Sequence, residues 1–156
     1  MAIEVGAHAP HLTLLNTDKE KVTFPNHGEV TVLVFFPAAF TSVCTKELCQ
    51  FRDAMQRYNN LSAKVYGISV DLPFSLGEFK KQEGLNFPLL SDHAHEAIKA
   101  YDVVLPDLAG LGVTTAVRSV FVIGKDGNIA WRWISDNPGQ EPDYAAVSQA
   151  VEQASA

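Results

Sequence analysis

The sequence has no long apolar run, no excess of positive charge, and nothing like a secretory signal at its first residues. Its longest apolar stretch, Val30 to Phe40, contains Thr31 and Pro37 and is shorter than the roughly 18 residues that a transmembrane helix needs. Its 12 Lys and Arg are outnumbered by 18 Asp and Glu, so we expect neither nucleic acid nor a membrane surface as a partner. An acid, Glu4, stands where a signal peptide has positive charge. We therefore expect a cytoplasmic protein.

Cysteine is also scarce, since the chain has only Cys44 and Cys49. In a reducing cytoplasm, two such cysteines are more often reactive or simply buried than joined in a permanent disulfide. The chain has five histidines, but neither a His-x-x-x-His nor a Cys-x-x-Cys motif occurs, so we expect no metal site. The missing Cys-x-x-Cys also argues against a disulfide oxidoreductase of the thioredoxin type.

Apolar patterns alternate between strand and helix along the chain. Runs rich in β-branched and aromatic residues predict strands at 11–15, 30–36, 64–70, 117–123 and 129–134. Helices are predicted at 43–58, 74–82, 94–101 and 144–154. No long linker or internal repeat separates these elements, and 47% hydrophobic with 19% charged residues is typical of a globular protein. We therefore expect a single domain over residues 1–156.

The order of these elements predicts the architecture. The run Val32 to Phe36 is apolar throughout, as in a central strand that is covered on both faces. The Asp126-Gly127 pair predicts a hairpin between the last two strands, which makes the sheet mixed. The fold class is therefore α/β, with a thioredoxin-like fold in which helices flank a mixed central sheet. Chemistry in such folds lies where the central strand ends.

Cys44 lies at that place. Pro37 ends the strand because proline has no N–H for the sheet, and Thr41 and Ser42 are candidate N-caps of the following helix. Cys44 then falls in the first turn, where free backbone N–H groups and the helix dipole favour a thiolate. This position predicts a nucleophile. The alternative is a small buried residue without chemistry.

Cys49 follows five residues later on the same predicted helix. In a continuous helix this spacing puts the two Cα atoms about 8–9 Å apart and on different faces. A disulfide needs Cα atoms within about 7 Å, so joining the pair requires the first turns of the helix to unwind. The alternative for Cys49, less favoured, is a packing residue of the helix core.

The segment Pro37 to Cys44 resembles the Pro-x-x-x-Thr-x-x-Cys signature of the peroxiredoxins. Similar segments continue at 45–53, 67–71, 87–92 and 118–123. The Cys-Thr-Lys-Glu-x-Cys-x-Phe-Arg-Asp stretch is similar to the bacterioferritin comigratory protein group, or peroxiredoxin Q, whose resolving cysteine stands at the position of Cys49. The Phe-Phe-Pro-x-Ala-Phe-Thr stretch resembles the alkyl hydroperoxide reductase E group instead, which is largely one-cysteine.

The resemblance implies a role for each site residue. Cys44 is expected to be the peroxidatic thiolate, Thr41 to orient the peroxide, and Arg118 to lie over the sulfur and bind the substrate oxygen. Pro37 is expected to shield the cysteine and Glu47 to hold the arginine. From the residues alone, Thr41 is equally a plain N-cap and Glu47 is equally an exposed acid on the helix surface. Pro37 can simply end the strand, and for Arg118 the residues alone favour a solvated charge at a strand end.

The resemblance also implies the catalytic cycle. The substrates are hydrogen peroxide and organic hydroperoxides, and the enzyme needs no bound cofactor. Cys44 sulfenic acid condenses with Cys49, and thioredoxin or a similar dithiol protein reduces the disulfide. The alternatives are a one-cysteine cycle that an external thiol completes, and a non-catalytic binding module with an inert thiol. A monomer and a homodimer are equally compatible with the sequence.

Overall fold

The strand before Cys44 is an inner strand of a seven-stranded sheet. The structure is a computed structural model that describes residues 3–156. The sheet has the order β2-β1-β5-β4-β3-β8-β9, in which β3, β4 and β5 are parallel and the other neighbours antiparallel. The strands are β1 (Leu12–Asn16), β2 (Lys21–Phe24), β3 (Thr31–Phe35), β4 (Lys64–Ser69), β5 (Leu89–Ser91), β6 (Val104–Leu105), β7 (Thr115–Ala116), β8 (Ser119–Ile123) and β9 (Ile129–Ile134). β6 and β7 form a separate pair.

Four α-helices connect or follow these strands. They are α1 (Ser42–Asn60), α2 (Pro73–Glu83), α3 (Glu96–Ala100) and α4 (Tyr144–Ser155), with a short 3₁₀ turn at Leu108–Gly110. In the part of the chain that the structure describes, none of the helices combines the length and the apolar character that a membrane span requires. A mixed sheet flanked by helices is thus the architecture that the sequence predicted.

β3 is central because both of its faces are covered. Val32 and Val34 pack into one core with α1, α2 and α4, whereas Leu33 and Phe35 pack into a second core with α3. A fully buried side chain of this kind contributes about 1.5–3 kcal/mol to folding. This burial fixes where β3 ends, and therefore where the following loop and α1 begin.

Most predicted elements are present within one or two residues of their expected ends, and two of the shifted starts have a clear consequence. The predicted helix 94–101 begins only at Glu96, because His95 has a left-handed backbone with φ of 62°. The predicted strand 117–123 begins at Ser119, so Arg118 precedes the strand instead of opening it. The sequence patterns also missed four strands. β2 exposes alternate residues at the sheet edge, β5 has only three residues, and β6 and β7 have two residues each.

α1 places Cys44 against the sheet. Buried residues recur mostly every three or four positions along α1, which is the helical repeat, so one side of the helix is buried. They are Cys44, Glu47, Leu48, Phe51, Met55 and Tyr58. Cys49 lies beside this stripe and is only partly buried. The two cysteines therefore occupy different surroundings on one continuous helix.

Candidate active site

The loop between β3 and α1 is held by a carboxylate from the neighbouring strand end. The Ala39 N–H donates to Asp71 Oδ2 at 2.9 Å, and the Ser69 hydroxyl donates to the same oxygen at 2.6 Å. Phe40, the next residue, has a φ of 67°, which costs a non-glycine residue conformational energy. Its ring packs on Phe79 with the centroids 5.2 Å apart. These contacts define the path of the chain from the strand to the helix.

Thr41 occupies the N-cap position of α1, but its side chain does not cap the helix. Its hydroxyl donates to the carbonyl of Ala38 at 2.9 Å, so the lone pairs of Oγ1 remain available as acceptors. Ser42, the other candidate cap, is the first residue of the helix. Thr41 therefore lies where a cap was predicted, while its hydroxyl makes a different hydrogen bond.

Cys44 lies at the inner end of a small cavity. The cavity has a volume of about 210 Å³ and is lined by Pro37, Thr41, Ser42, Val43, Cys44, Leu108, Arg118, Pro138 and Gly139. The side chain of Cys44 is fully buried, and the thiol is not part of a disulfide. Pro37, also buried, forms part of the wall at the end of β3. A small molecule that enters the cavity would meet the sulfur, Thr41 and Arg118 together.

Hydrogen bonds to three residues hold the Arg118 guanidinium beside the Cys44 sulfur. Nη2 donates to Cys44 Sγ at 3.1 Å, and Nη1 donates to Glu47 Oε1 at 2.8 Å. Nε and Nη2 both donate to the carbonyl of Pro138, at 3.0 and 2.8 Å. The side chain is only 2% exposed, so it is not the solvated charge of the alternative interpretation. A buried guanidinium in this position stabilises negative charge on the sulfur.

Glu47 is buried beside this arginine and is not an exposed helix-surface acid. One carboxylate oxygen accepts from Arg118, and the other, Oε2, has no hydrogen-bond partner among residues 3–156. Burial raises the pKa of Glu47 to about 7, although the Arg118 charge lowers it and the Glu141 charge adds a smaller increase. The loss of hydration raises the Glu47 pKa more than Arg118 lowers it, because only one of the two carboxylate oxygens is hydrogen-bonded.

The loop from Asp136 to Pro142 holds the arginine through a backbone atom. Its Pro138 carbonyl is the double acceptor for Arg118, and Asn137 and Gln140 brace the turn by accepting backbone N–H groups. In the sequence this segment is only a run of residues typical of turns, among them Pro138, Gly139 and Pro142. A main-chain carbonyl leaves no signature in the residue types, so nothing in the sequence pointed to this role.

An ion pair ties the same loop to α1. Lys46 Nζ lies 3.1 Å from Glu141 Oε2, and the Tyr144 hydroxyl donates to Glu141 at 2.6 Å. Tyr144 first, and then Lys46, hold the pKa of Glu141 below its usual value. The ion pair therefore joins the loop to α1 at Lys46, the residue before Glu47.

Cys49 stands apart from this cluster. Its sulfur lies 3.6 Å from Glu83 Oε1 and is directed to the end of α2. Burial, followed by the charge of Glu83, raises the pKa of Cys49, while Arg52 lowers it. The structure thus brings together Pro37, Thr41, Cys44, Glu47 and Arg118, and leaves Cys49 on another face of the helix. Between Ile3 and Ala156 no group of three or more His, Cys, Asp or Glu side chains is arranged to hold a metal ion.

A buried cysteine in the first turn of a helix, with a fixed guanidinium over its sulfur, is the arrangement of a thiol-dependent oxidoreductase. The AhpC/TSA family matches residues 5–132, and the chain belongs to this family.

Relatives and solved structures agree with this classification. The chain is 36% identical to peroxiredoxin Bcp of Bacillus subtilis over 135 residues, which cover 85% of this chain and 86% of the relative. It is 34% identical to a thiol peroxidase of Listeria monocytogenes over 154 residues, which cover 97% and 89%. A peroxiredoxin-like protein from Aquifex aeolicus has a similar structure, with a TM-score of 0.89, 26% identity, and coverage of 99% and 89%. The resemblance to peroxiredoxins and the thioredoxin-like fold are thus confirmed, and the chain is a peroxidase of the oxidoreductase class.

Proposed function

We propose that Cys44 is the peroxidatic residue of this thiol peroxidase, acting on hydrogen peroxide and organic hydroperoxides. The observation that carries the proposal is the 3.1 Å contact between Arg118 Nη2 and Cys44 Sγ inside the cavity. The Cys44 thiolate attacks the nearer peroxide oxygen, an S–O bond forms and the O–O bond breaks. Cys44 becomes a sulfenic acid, and the departing oxygen takes a proton to leave as water or alcohol.

The fixed donors would act mainly in the transition state. Negative charge spreads from the sulfur onto both oxygens as the O–O bond breaks, and Arg118 already donates to the sulfur from which that charge spreads. Thr41 Oγ1 has lone pairs free to accept the peroxide O–H. Glu47 and the Pro138 carbonyl keep the guanidinium from turning, and Pro37 narrows the cavity around the sulfur. No cofactor takes part in this step.

The second half of the cycle uses Cys49 as the resolving residue. Both cysteines are free thiols on α1, and the α1 cap is weak because the Thr41 side chain accepts no hydrogen bond from the N–H groups of the first turn. When the first turns of α1 unwind, the Cys44 sulfenic acid can reach Cys49 and condense to a disulfide with loss of water. Thioredoxin or a similar dithiol protein then reduces this disulfide.

The same proposal includes the setting in which the enzyme works. Two free cysteines fit the reducing cytoplasm, and a net charge of −6 gives no reason for a nucleic-acid or membrane partner. One seven-stranded sheet contains both β1 and β9, which supports a single domain. Both a monomer and a homodimer would leave the chemistry of one chain unchanged.

The test is the intact mass and free-thiol count of the reduced protein before and after one equivalent of hydrogen peroxide, without reductant. The proposed cycle predicts the loss of two hydrogen atoms and of both thiols. Gain of one oxygen at Cys44 with Cys49 still free would establish the one-cysteine cycle instead. An unchanged mass would contradict the role of Cys44.

A further inference from the structure

The side-chain carboxylate of Glu83 lies beside Cys49, the proposed resolving cysteine. Cys49 Sγ lies 3.6 Å from Glu83 Oε1, a hydrogen-bond distance for sulfur, and the thiol is the donor. Glu83 is the last residue of α2 and is partly buried. The other charged groups near this sulfur are Arg52 and Asp53, both from α1. None of the steps described above uses the carboxylate of Glu83.

Two further contacts fasten this part of α1 to the end of α2. Arg52 Nη1 donates to the Glu83 carbonyl at 2.6 Å, and Asn86 Nδ2 donates to the Arg52 carbonyl at 3.3 Å. Both contacts lie on the C-terminal side of Cys49, whereas the weakly capped turn that must unwind lies on its N-terminal side. Unwinding of Ser42–Leu48 can therefore bring Cys44 to Cys49 while Cys49 stays beside Glu83.

A proton must leave Cys49 as the disulfide forms. Burial and the Glu83 charge raise the pKa of Cys49, so the residue is a thiol at neutral pH. A neutral thiol is a weak nucleophile, and its attack is efficient only if a base within hydrogen-bond reach takes the proton. The Glu83 carboxylate already accepts the hydrogen bond from this thiol.

We propose that Glu83 is the general base of the resolving step, in which it takes the Cys49 proton as Cys49 Sγ attacks the sulfur of Cys44 sulfenic acid. The inference rests on the proposed function, because it assumes that Cys49 resolves. The S–S bond forms as the S–O bond breaks, so the Cys49 sulfur is oxidised and the Cys44 sulfur is reduced. The proton from Glu83 joins the departing hydroxide, which leaves as water.

The test compares the full-length protein with its Glu83→Gln variant, which keeps the size of the side chain and removes the base. Reduced protein is mixed with one equivalent of hydrogen peroxide and quenched in acid at increasing times. The intact mass of each sample is then measured by mass spectrometry. The sulfenic acid and the disulfide differ in mass, so the two steps are timed separately. Glu83→Asp tests for partial rescue, and Glu78→Gln, an exposed acid on the same helix, is the matched control.

We expect Glu83→Gln to slow disulfide formation by about 100-fold or more at pH 7, the usual contribution of a general base. The variant must wait for the free thiolate, so its resolving rate should rise about tenfold per pH unit, more steeply than that of the unmodified protein. A structural role would not create this difference in pH profile. Glu83→Asp should recover part of the rate, and Glu78→Gln should match the unmodified protein.

The opposite results separate the two proposals. If Glu83→Gln forms the disulfide as fast as the unmodified protein or faster, with the same pH profile, Glu83 is not the base, while the two-cysteine cycle stands. If the unmodified protein forms the sulfenic acid but no disulfide, both this inference and the resolving role of Cys49 are overturned.

Discussion

The Arg118 guanidinium and the Cys44 sulfur are 74 residues apart in the chain and 3.1 Å apart in the structure. The sheet register explains this approach. β8 runs antiparallel to β3, and Ser119 pairs with Phe35, so the residue before β8 stands beside the end of β3. The end of β3 leads through the loop to the first turn of α1, where Cys44 lies. Arg118 and Cys44 therefore meet at the end of the sheet where β3 stops and β8 starts.

Replacement of Arg118 by Lys should slow the oxidation of Cys44. One ammonium group cannot contact Cys44, Glu47 and the Pro138 carbonyl together in the fixed geometry of a guanidinium. We expect the second-order rate constant with hydrogen peroxide to fall about 10²- to 10³-fold, the usual effect of losing one preorganised donor. Stopped-flow measurement of sulfenic acid formation checks this, with Arg132→Lys as a control outside the cavity. A rate within a factor of two or so of the unmodified protein would refute the role of the guanidinium.

Thr41 offers a test of the hydroxyl alone. Thr41→Val keeps the β-branched shape but loses the acceptor lone pairs of Oγ1 and the hydrogen bond to the Ala38 carbonyl. We expect the rate constant for Cys44 oxidation to fall by roughly 10-fold or more, as for one lost hydrogen bond to a reacting group, and Thr41→Ser to keep most of it. Equal rates in the Val and Ser variants would mean that the hydroxyl has no part in the oxidation of Cys44.

The central parts of this site follow from local sequence patterns. β3 is apolar throughout, and α1 repeats its apolar residues at helical spacing, so the strand-to-helix turn and the position of Cys44 were predictable. Arg118, Glu47 and Thr41 entered through the resemblance to peroxiredoxins, because their chemistry depends on long-range packing. From the residues alone, Thr41 is equally well explained as a cap and Glu47 as a surface charge, and for Arg118 a surface charge is the better explanation.

Other contacts have no local pattern at all. The Pro138 carbonyl is a backbone atom, and any residue at that position would supply it. The contact between Asp71 and the Ala39 N–H needs the parallel pairing of β3 and β4, which places the C-terminal ends of the two strands side by side. The contact of Glu83 with Cys49 needs the end of α2 to pack on α1. Only tertiary structure brings these groups together.

Cys49→Ser should separate the two halves of the cycle. Cys44 keeps its contact with Arg118 in this variant, so the first oxidation should proceed at the unmodified rate. The sulfenic acid then has no internal thiol to meet, and excess peroxide should carry it to the sulfinic acid. Turnover coupled to thioredoxin should be lost, as followed by NADPH consumption with thioredoxin and its reductase. Retained turnover would show that an external thiol resolves Cys44.

The buried Glu47 should make stability depend on pH. Burial raises its pKa to about 7 in the folded protein from an ordinary value of 4.5. Since the folded pKa is the higher one, the folded state binds more protons between pH 4.5 and 7, and the free energy of unfolding falls as pH rises through this window. A difference of this size corresponds to up to about 3 kcal/mol.

Glu47→Gln removes this titration and leaves the others in place. We expect the unfolding free energy of the unmodified protein, relative to the variant, to fall by up to about 3 kcal/mol between pH 4.5 and 8. Urea denaturation of both proteins under reducing conditions measures this difference, and Glu78→Gln controls for the loss of an exposed acid on another helix. Loss of the pairing with Arg118 lowers the stability of Glu47→Gln at every pH, so only the slope with pH is diagnostic. A difference that stays constant from pH 4.5 to 8 would mean that Arg118 keeps Glu47 ionised throughout, and that pairing outweighs the cost of burial.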